Sequence, residues 1–169
     1  HLPSAASETG RSLGEKADQS FGESVVVGLI GDSTVAVQSG WGPAFTERFN
    51  DRVKIINYAK NGATLQALSH RLDELMELNP DYVLIQFGHN DQKRYDQSVY
   101  SDRLRSYVER IKKSGGKAVI VSSVTRRSFN EDGKIVSNLV KNEKYSYKAT
   151  LTEYARAAEA LAKELNLPF

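Results

Sequence analysis

VVVGLIGDST, residues 25–34, runs a short apolar, β-branched stretch directly into Gly31-Asp32-Ser33. A run of that length without polar alternation reads as a strand buried on both faces, the kind found inside parallel sheets. Residues 25–30 therefore predict a first strand that ends at a turn carrying a serine. In open α/β sheets, ligands and chemistry gather at the carboxyl ends of the strands, which makes Ser33 a candidate nucleophile. The same position suits a helix N-cap, and Asp32 suits a helix-dipole partner, so Ser33 by itself supports either role.

Three further runs have the same character: residues 54–58 (KIINY), 82–87 (YVLIQF) and 117–124 (KAVIVSSV). Between them lie helical patterns over residues 43–50, 65–78, 99–114 and 150–165. The second places Leu65, Leu68, Leu72, Leu75 and Met76 on one face. Asn79-Pro80 stops that helix, and Gly115-Gly116 stops the next. The alternation βαβαβαβα predicts a three-layer α/β/α, flavodoxin-like sandwich around a parallel sheet, with right-handed crossovers. Asn166-Leu167-Pro168-Phe169 reads as the turn into a fifth strand. Residues 1–24, rich in Ser, Ala, Gly and charge, read as a polar tail or linker, and residues 25–169 as the domain.

At 169 residues, 40% hydrophobic and 26% charged, the chain has the size and composition of one globular domain. A net charge of +2 with no dense Lys/Arg run gives no basis for nucleic-acid binding. The absence of cysteine excludes disulfides and thiolate metal sites but leaves the compartment open. No apolar run approaches the roughly 18 residues of a membrane span, and no signal-peptide pattern is visible.

Three loops follow the first three strands: residues 31–35 (GDSTV), 57–64 (NYAKNGAT) and 88–91 (GHND). A parallel sheet brings all three to one edge. Acyl transfer needs a nucleophile and two or three donors aimed at the developing oxyanion. Ser33 offers a hydroxyl and its own backbone N–H, Gly62 a backbone N–H unshielded by a Cβ, and Asn90 a side-chain amide. Turn roles for Gly62 and Asn90 are compatible with these functions.

G-D-S-T-V at 31–35, N-x-A-x-x-G at 57–62 and F-G-H-N-D at 87–91, in that order and each after a predicted strand, resemble the SGNH (GDSL-type) hydrolases. Within them the chain is similar to the rhamnogalacturonan acetylesterase-like carbohydrate esterases, with the segment from Arg126 to Lys134 resembling the pectin-acting members. The resemblance implies a serine esterase that deacetylates a plant cell-wall polysaccharide, most simply pectic rhamnogalacturonan. Ser33 would be the nucleophile, with Gly62 and Asn90 completing the oxyanion hole. It implies an acetylated polysaccharide or oligosaccharide as partner, no cofactor or metal, and a secreted or periplasmic location. It further implies a general-base histidine in a C-terminal D-x-x-H block. No such block occurs here, and the only histidines are His1, His70 and His89. The expectation is thus a chain that stops before its base and is severely impaired as given, with an apolar sheet face left bare.

His89 is expected to be structural or substrate-facing rather than the base, and Asp91 to brace its loop. Arg126 and Arg127, after the fourth strand, are candidates to meet galacturonate carboxylates at the rim, as Lys93 and Arg94 are after the third. Solvated surface charge explains them equally well. Trp41 and Tyr95 could stack on sugar rings, although Trp41 equally suits a core. Three alternatives remain: an SGNH esterase for another acyl group, of lipase or thioesterase type; a flavodoxin-like ligand-binding module; and a catalytically dead binding relative. The second lacks both G-x-x-x-x-G-K-[ST] and G-x-G-x-x-G, so it has no recognisable phosphate loop.

Overall fold

The structure, a computed structural model, describes residues 22–136, 140–141 and 144–169. The polar tail expected over residues 1–24 lies outside the described residues, apart from 22–24, which are exposed. Four parallel strands, β1 (Val25–Gly31), β2 (Val53–Asn57), β3 (Tyr82–Gln86) and β4 (Lys117–Ile120), form one sheet in the order β2-β1-β3-β4. Leu29 sits opposite Asn57 of β2 on one side and Leu84 of β3 on the other. This is the strand order of flavodoxin-like sheets, and the chain reverses direction across the sheet between β1 and β3. The crevice outside that switch point is where such folds bind ligands.

The two sheet faces are covered unequally. Ile30, Val83, Ile85, Ala118 and Ile120 pack into a large core with α2 (Ser69–Met76), α3 (Gln97–Lys113) and α4 (Leu151–Glu164). The opposite face offers Val27 and Leu29, which with Val35 form a small buried cluster edged by half-buried Trp41, Phe45, Ile55 and Leu84. Its helix is the five-residue α1 (Gly42–Thr46).

Local chemistry sets the helix ends. Asp96 caps α3 by accepting from the Val99 N–H at 3.0 Å. Thr150 and Glu153 form a reciprocal capping box on α4. At the far end of α3 the chain turns through Gly115 in the left-handed region, φ +89°.

Several elements are shorter than expected. α1 stops at Thr46, and α2 begins only at Ser69 although the apolar stripe starts at Leu65. Residues 65–68 form turns because both backbone groups of Leu65 are taken by tertiary partners. Its N–H goes to Asp91 Oδ1 at 3.1 Å, and its carbonyl accepts from the Tyr107 hydroxyl at 2.6 Å. β4 ends at Ile120, whose N–H donates to the Pro168 carbonyl at 3.1 Å, so the C-terminal segment reaches the sheet edge where a fifth strand was expected. A two-stranded antiparallel hairpin, β5 (Ser128–Phe129) and β6 (Ile135–Val136), has no counterpart in the sequence pattern. Among the described residues, no helix is long and apolar enough to cross a membrane.

Candidate active site

The turn after β1 carries Ser33, half-buried. Instead of the regular helix expected there, one helical turn forms, with the N–H groups of Val35 and Ala36 both donating to the Asp32 carbonyl. Asp32, 1% exposed, is therefore not the partner of a helix dipole. Its Oδ1 accepts from the Thr34 N–H at 2.9 Å and lies 2.7 Å from the Thr34 hydroxyl. That hydroxyl is also 2.7 Å from Gln86 Oε1, and its single hydrogen serves one acceptor at a time. Gln86, at the end of β3, further accepts from Trp41 Nε1 at 2.7 Å and donates to the Ser122 carbonyl at 2.6 Å. Because an indole nitrogen only donates, the Trp41 contact fixes which carboxamide atom is the oxygen. Among the described residues the Ser33 hydroxyl makes no hydrogen bond, whereas the Ser33 carbonyl accepts from the Ser39 hydroxyl and Thr34 is bonded to Asp32.

The second loop holds Gly62 at φ +76°. A Cβ there would meet nothing within 4 Å, so glycine is favoured by the left-handed backbone and not by lack of space. Ser39 links this loop to the serine turn: its hydroxyl lies 3.0 Å from the Ser33 carbonyl and 2.7 Å from Asn61 Oδ1.

The third loop brings Asn90 to Gly62. Asn90 Nδ2 donates to the Ala63 carbonyl at 3.0 Å, and Lys93 Nζ donates to Asn90 Oδ1 at 3.2 Å. The carboxamide is thereby oriented, with its second Nδ2 hydrogen left for a ligand. Gly62, Asn90, Lys93, Arg94 and Tyr145 line one cavity of about 270 Å³; Ser33 is not on its wall. Burial holds the Lys93 ammonium below its ordinary range, and the neighbouring Arg126 charge adds to that.

Asp91 is fully buried, and its Oδ2 has no hydrogen-bond partner. Burial pushes its carboxyl up to about 7; the nearby Asp32 charge adds to this, and the Leu65 N–H opposes it. Asp91 thus braces the loop through Leu65. His89 turns its Nε2 to the Val124 carbonyl, 2.7 Å away, and must donate there. Burial keeps its imidazole below its usual value and hence neutral near pH 7.

The Arg126 guanidinium donates to the His89 carbonyl at 2.9 Å and lies 5.2 Å from the Tyr147 ring centre, so it joins two loops, while its buried Nε has no hydrogen-bond partner. Arg127 is exposed. Trp41 packs edge-on against Phe45 and belongs to the small core, and Tyr95 lies beneath the Arg103 guanidinium at 3.9 Å. Gln86 and Thr34 were not assigned roles from the sequence. The available signal was a lone polar residue within the buried run YVLIQF. Among the described residues no group of His, Asp or Glu is placed to hold a metal.

The model of the GDSL-like lipase/acylhydrolase family matches residues 20–169. The rhamnogalacturonan acetylesterase RhgT of Bacillus subtilis (strain 168) is 38% identical over 158 residues, covering 85% of this chain and 63% of that protein. The probable rhamnogalacturonan acetylesterase YesY of the same organism is 27% identical over 127 residues, covering 65% of this chain and 58% of that protein. The chain thus spans less than two thirds of the length of these curated relatives. A solved GDSL-like lipase from Bacteroides thetaiotaomicron VPI-5482 shares the fold, with a TM-score of 0.66 at 20% identity, covering 85% of this chain and 66% of that one.

Proposed function

Because this chain belongs to the GDSL-like lipase/acylhydrolase family, we propose that it is a serine ester hydrolase removing acetyl groups from pectic rhamnogalacturonan. The observation that carries the ester-hydrolase reading is the Asn90 carboxamide, oriented from both ends and sharing a cavity with the Gly62 backbone, whose loop Ser39 ties to the Ser33 turn. Similarity to RhgT, named a rhamnogalacturonan acetylesterase, supports the choice of acetyl group and polymer. A small cavity walled by Lys93 and Arg94 suits a short acyl group on a polar substrate better than a lipid chain. A phosphate-binding module is disfavoured because no regular helix begins at the serine turn.

In this mechanism Ser33 Oγ attacks the acetyl carbonyl, and the bond to the sugar oxygen breaks, with the sugar leaving as a protonated hydroxyl. The Ser33 and Gly62 N–H groups and Asn90 Nδ2 hold the developing oxyanion, and water then releases acetate from the acyl-enzyme. Among the described residues no imidazole bonds the Ser33 hydroxyl, since His89 Nε2 is committed to Val124. We assign the proton transfers to a histidine other than His70 and His89. We also propose a secreted or periplasmic location, where a cell-wall polymer is met; activity confined to the cytosolic fraction of the source cell would contradict it.

The test combines fluorophosphonate labelling with acetate release from acetylated rhamnogalacturonan, acetylated xylan and an octanoyl ester. Labelling is expected on Ser33 and absent from Ser33→Ala, with the pectic substrate cleaved fastest. Labelling that persists in Ser33→Ala would remove the nucleophile, and faster release from xylan or the octanoyl ester would remove the substrate.

A further inference from the structure

Gly62 stands on the wall of two cavities. Besides the one shared with Asn90, a larger cavity of about 560 Å³ lies between the loop after β2 and the first turn of α2, with Tyr58, Lys60, His70 and Arg71 on its wall. That volume is within the range of small-molecule sites, roughly 300–1,000 Å³. A polymer with one unit beside Gly62 and Asn90 has another unit of the same strand within reach of this second cavity.

The charge on these walls is one-sided. Lys60, Arg71, Lys93 and Arg94 stand on them, and no aspartate or glutamate does. The whole chain is nearly balanced, with 23 Lys and Arg against 21 Asp and Glu. Lys60 has no ion-pair partner among the described residues. The Arg71 guanidinium lies 4.1 Å from the Tyr58 ring centre, which stabilises the cation and steadies its plane. Its one ion pair, with Glu74, is solvent-exposed and therefore weakly held. A guanidinium held by a ring, with an ammonium on the same wall, suits a carboxylate.

We propose that this second cavity is a subsite for a carboxylated sugar, a uronate unit on the same polymer strand as the acetylated one, with Lys60 and Arg71 receiving its carboxylate. The proposal rests on the polysaccharide-esterase reading for its ligand, but it assigns residues that reading does not use. It also places the meeting with the acid on Arg71 and not on Arg126, which joins the His89 loop to its neighbour.

Binding of deacetylated oligogalacturonate to the full chain, measured by titration calorimetry, is compared with binding of the same oligosaccharide after methyl esterification has removed its charge. The unaltered protein should prefer the acid form about tenfold, equivalent to about 1.4 kcal/mol. The double variant Lys60→Gln/Arg71→Gln should bring the two forms within about twofold. Glu74→Gln, which frees Arg71, should tighten the acid form a few-fold, a gain that misfolding cannot mimic. Equal affinities in the unaltered protein, or a preference that survives in the double variant, would overturn the subsite. Acetate release separates it from the parent reading: a chain that binds oligogalacturonate through Lys60 and Arg71 yet deacetylates only xylan keeps the subsite and loses the pectic function. A chain that deacetylates rhamnogalacturonan while the double variant keeps its acid preference loses the subsite alone.

Discussion

The turn that carries Ser33 lies on the thinly covered face of the sheet, held by Asp32, Thr34, Gln86 and Trp41 through hydrogen bonds. The loop that carries Asn90 stands instead on the thick core, between Phe87, Leu65 and the tyrosines of α3. Both halves are tied by hydrogen bonds, but only the Asn90 half also rests on a large packed core. The difference follows from the cover each face has: a five-residue helix cannot bury enough apolar surface to immobilise a loop, so directional bonds must do it.

The largest expected effect falls on the packed half. Phe87 is 1% exposed and meets Tyr107 edge-on at 5.7 Å, so Phe87→Ala should lower unfolding free energy by about 3–5 kcal/mol in chemical denaturation. A loss under about 1 kcal/mol would mean that packing does not hold the Asn90 loop.

Next is the carboxyl inside that half. The Asp91 pKa, raised to about 7 in the fold from an ordinary 3.8, lets the native state hold a proton that the unfolded chain has released. Stability contributed by this group is therefore complete below about pH 4 and is lost as pH rises towards about 7, by about 1.4 kcal/mol for each pH unit climbed between those two values. The groups acting on it are Asp32, Arg103 and the Leu65 N–H. His89, with its lowered pKa, contributes the opposite slope, losing stability as pH falls through its unfolded value. Subtracting the pH profile of Asp91→Asn from that of the parent cancels His89 and should leave a fall of on the order of 4 kcal/mol between pH 4 and 8. A flat difference would show that the buried carboxyl titrates normally.

On the polar half, Gln86→Leu strands the Trp41 N–H and the Ser122 carbonyl, leaves the Thr34 hydroxyl to Asp32 alone, and should cost about 1–3 kcal/mol. It should also slow fluorophosphonate labelling of Ser33; an unchanged labelling rate would mean that Gln86 does not position the serine turn. The smallest effect belongs to the thin apolar cover. Val53→Ala, at a half-buried position of β2, should change the thermal midpoint by the equivalent of less than about 1 kcal/mol. A cost as large as that of Phe87→Ala would erase the contrast between the faces.

The strands were legible because each is a short β-branched run, and the site's three loops because each follows one. The head of α2 was not: Leu65 and Leu68 keep helical spacing and are buried, but Asp91 and Tyr107 capture the Leu65 backbone, and no local pattern reveals partners more than 25 residues away. Arg126 was placed at the correct sheet edge, but its bond to a carbonyl of a different loop is something composition cannot show. Gln86 was hidden for the same reason, since a polar residue at a strand end has many fates. The hairpin of β5 and β6 is too short, two residues a strand, to leave a period.

The chain's single tryptophan, Trp41, points its indole N–H at Gln86 in the polar half, while the hydroxyls of Tyr100 and Tyr107 donate to the Phe87 and Leu65 carbonyls in the packed half. The two halves therefore carry separate optical reporters. Indole emission under red-edge excitation tracks the serine turn. Tyrosinate absorbance in alkali, which burial withholds from Tyr100 and Tyr107 until the core opens, tracks the asparagine loop. One unlabelled sample can thus show which side of the site loosens first.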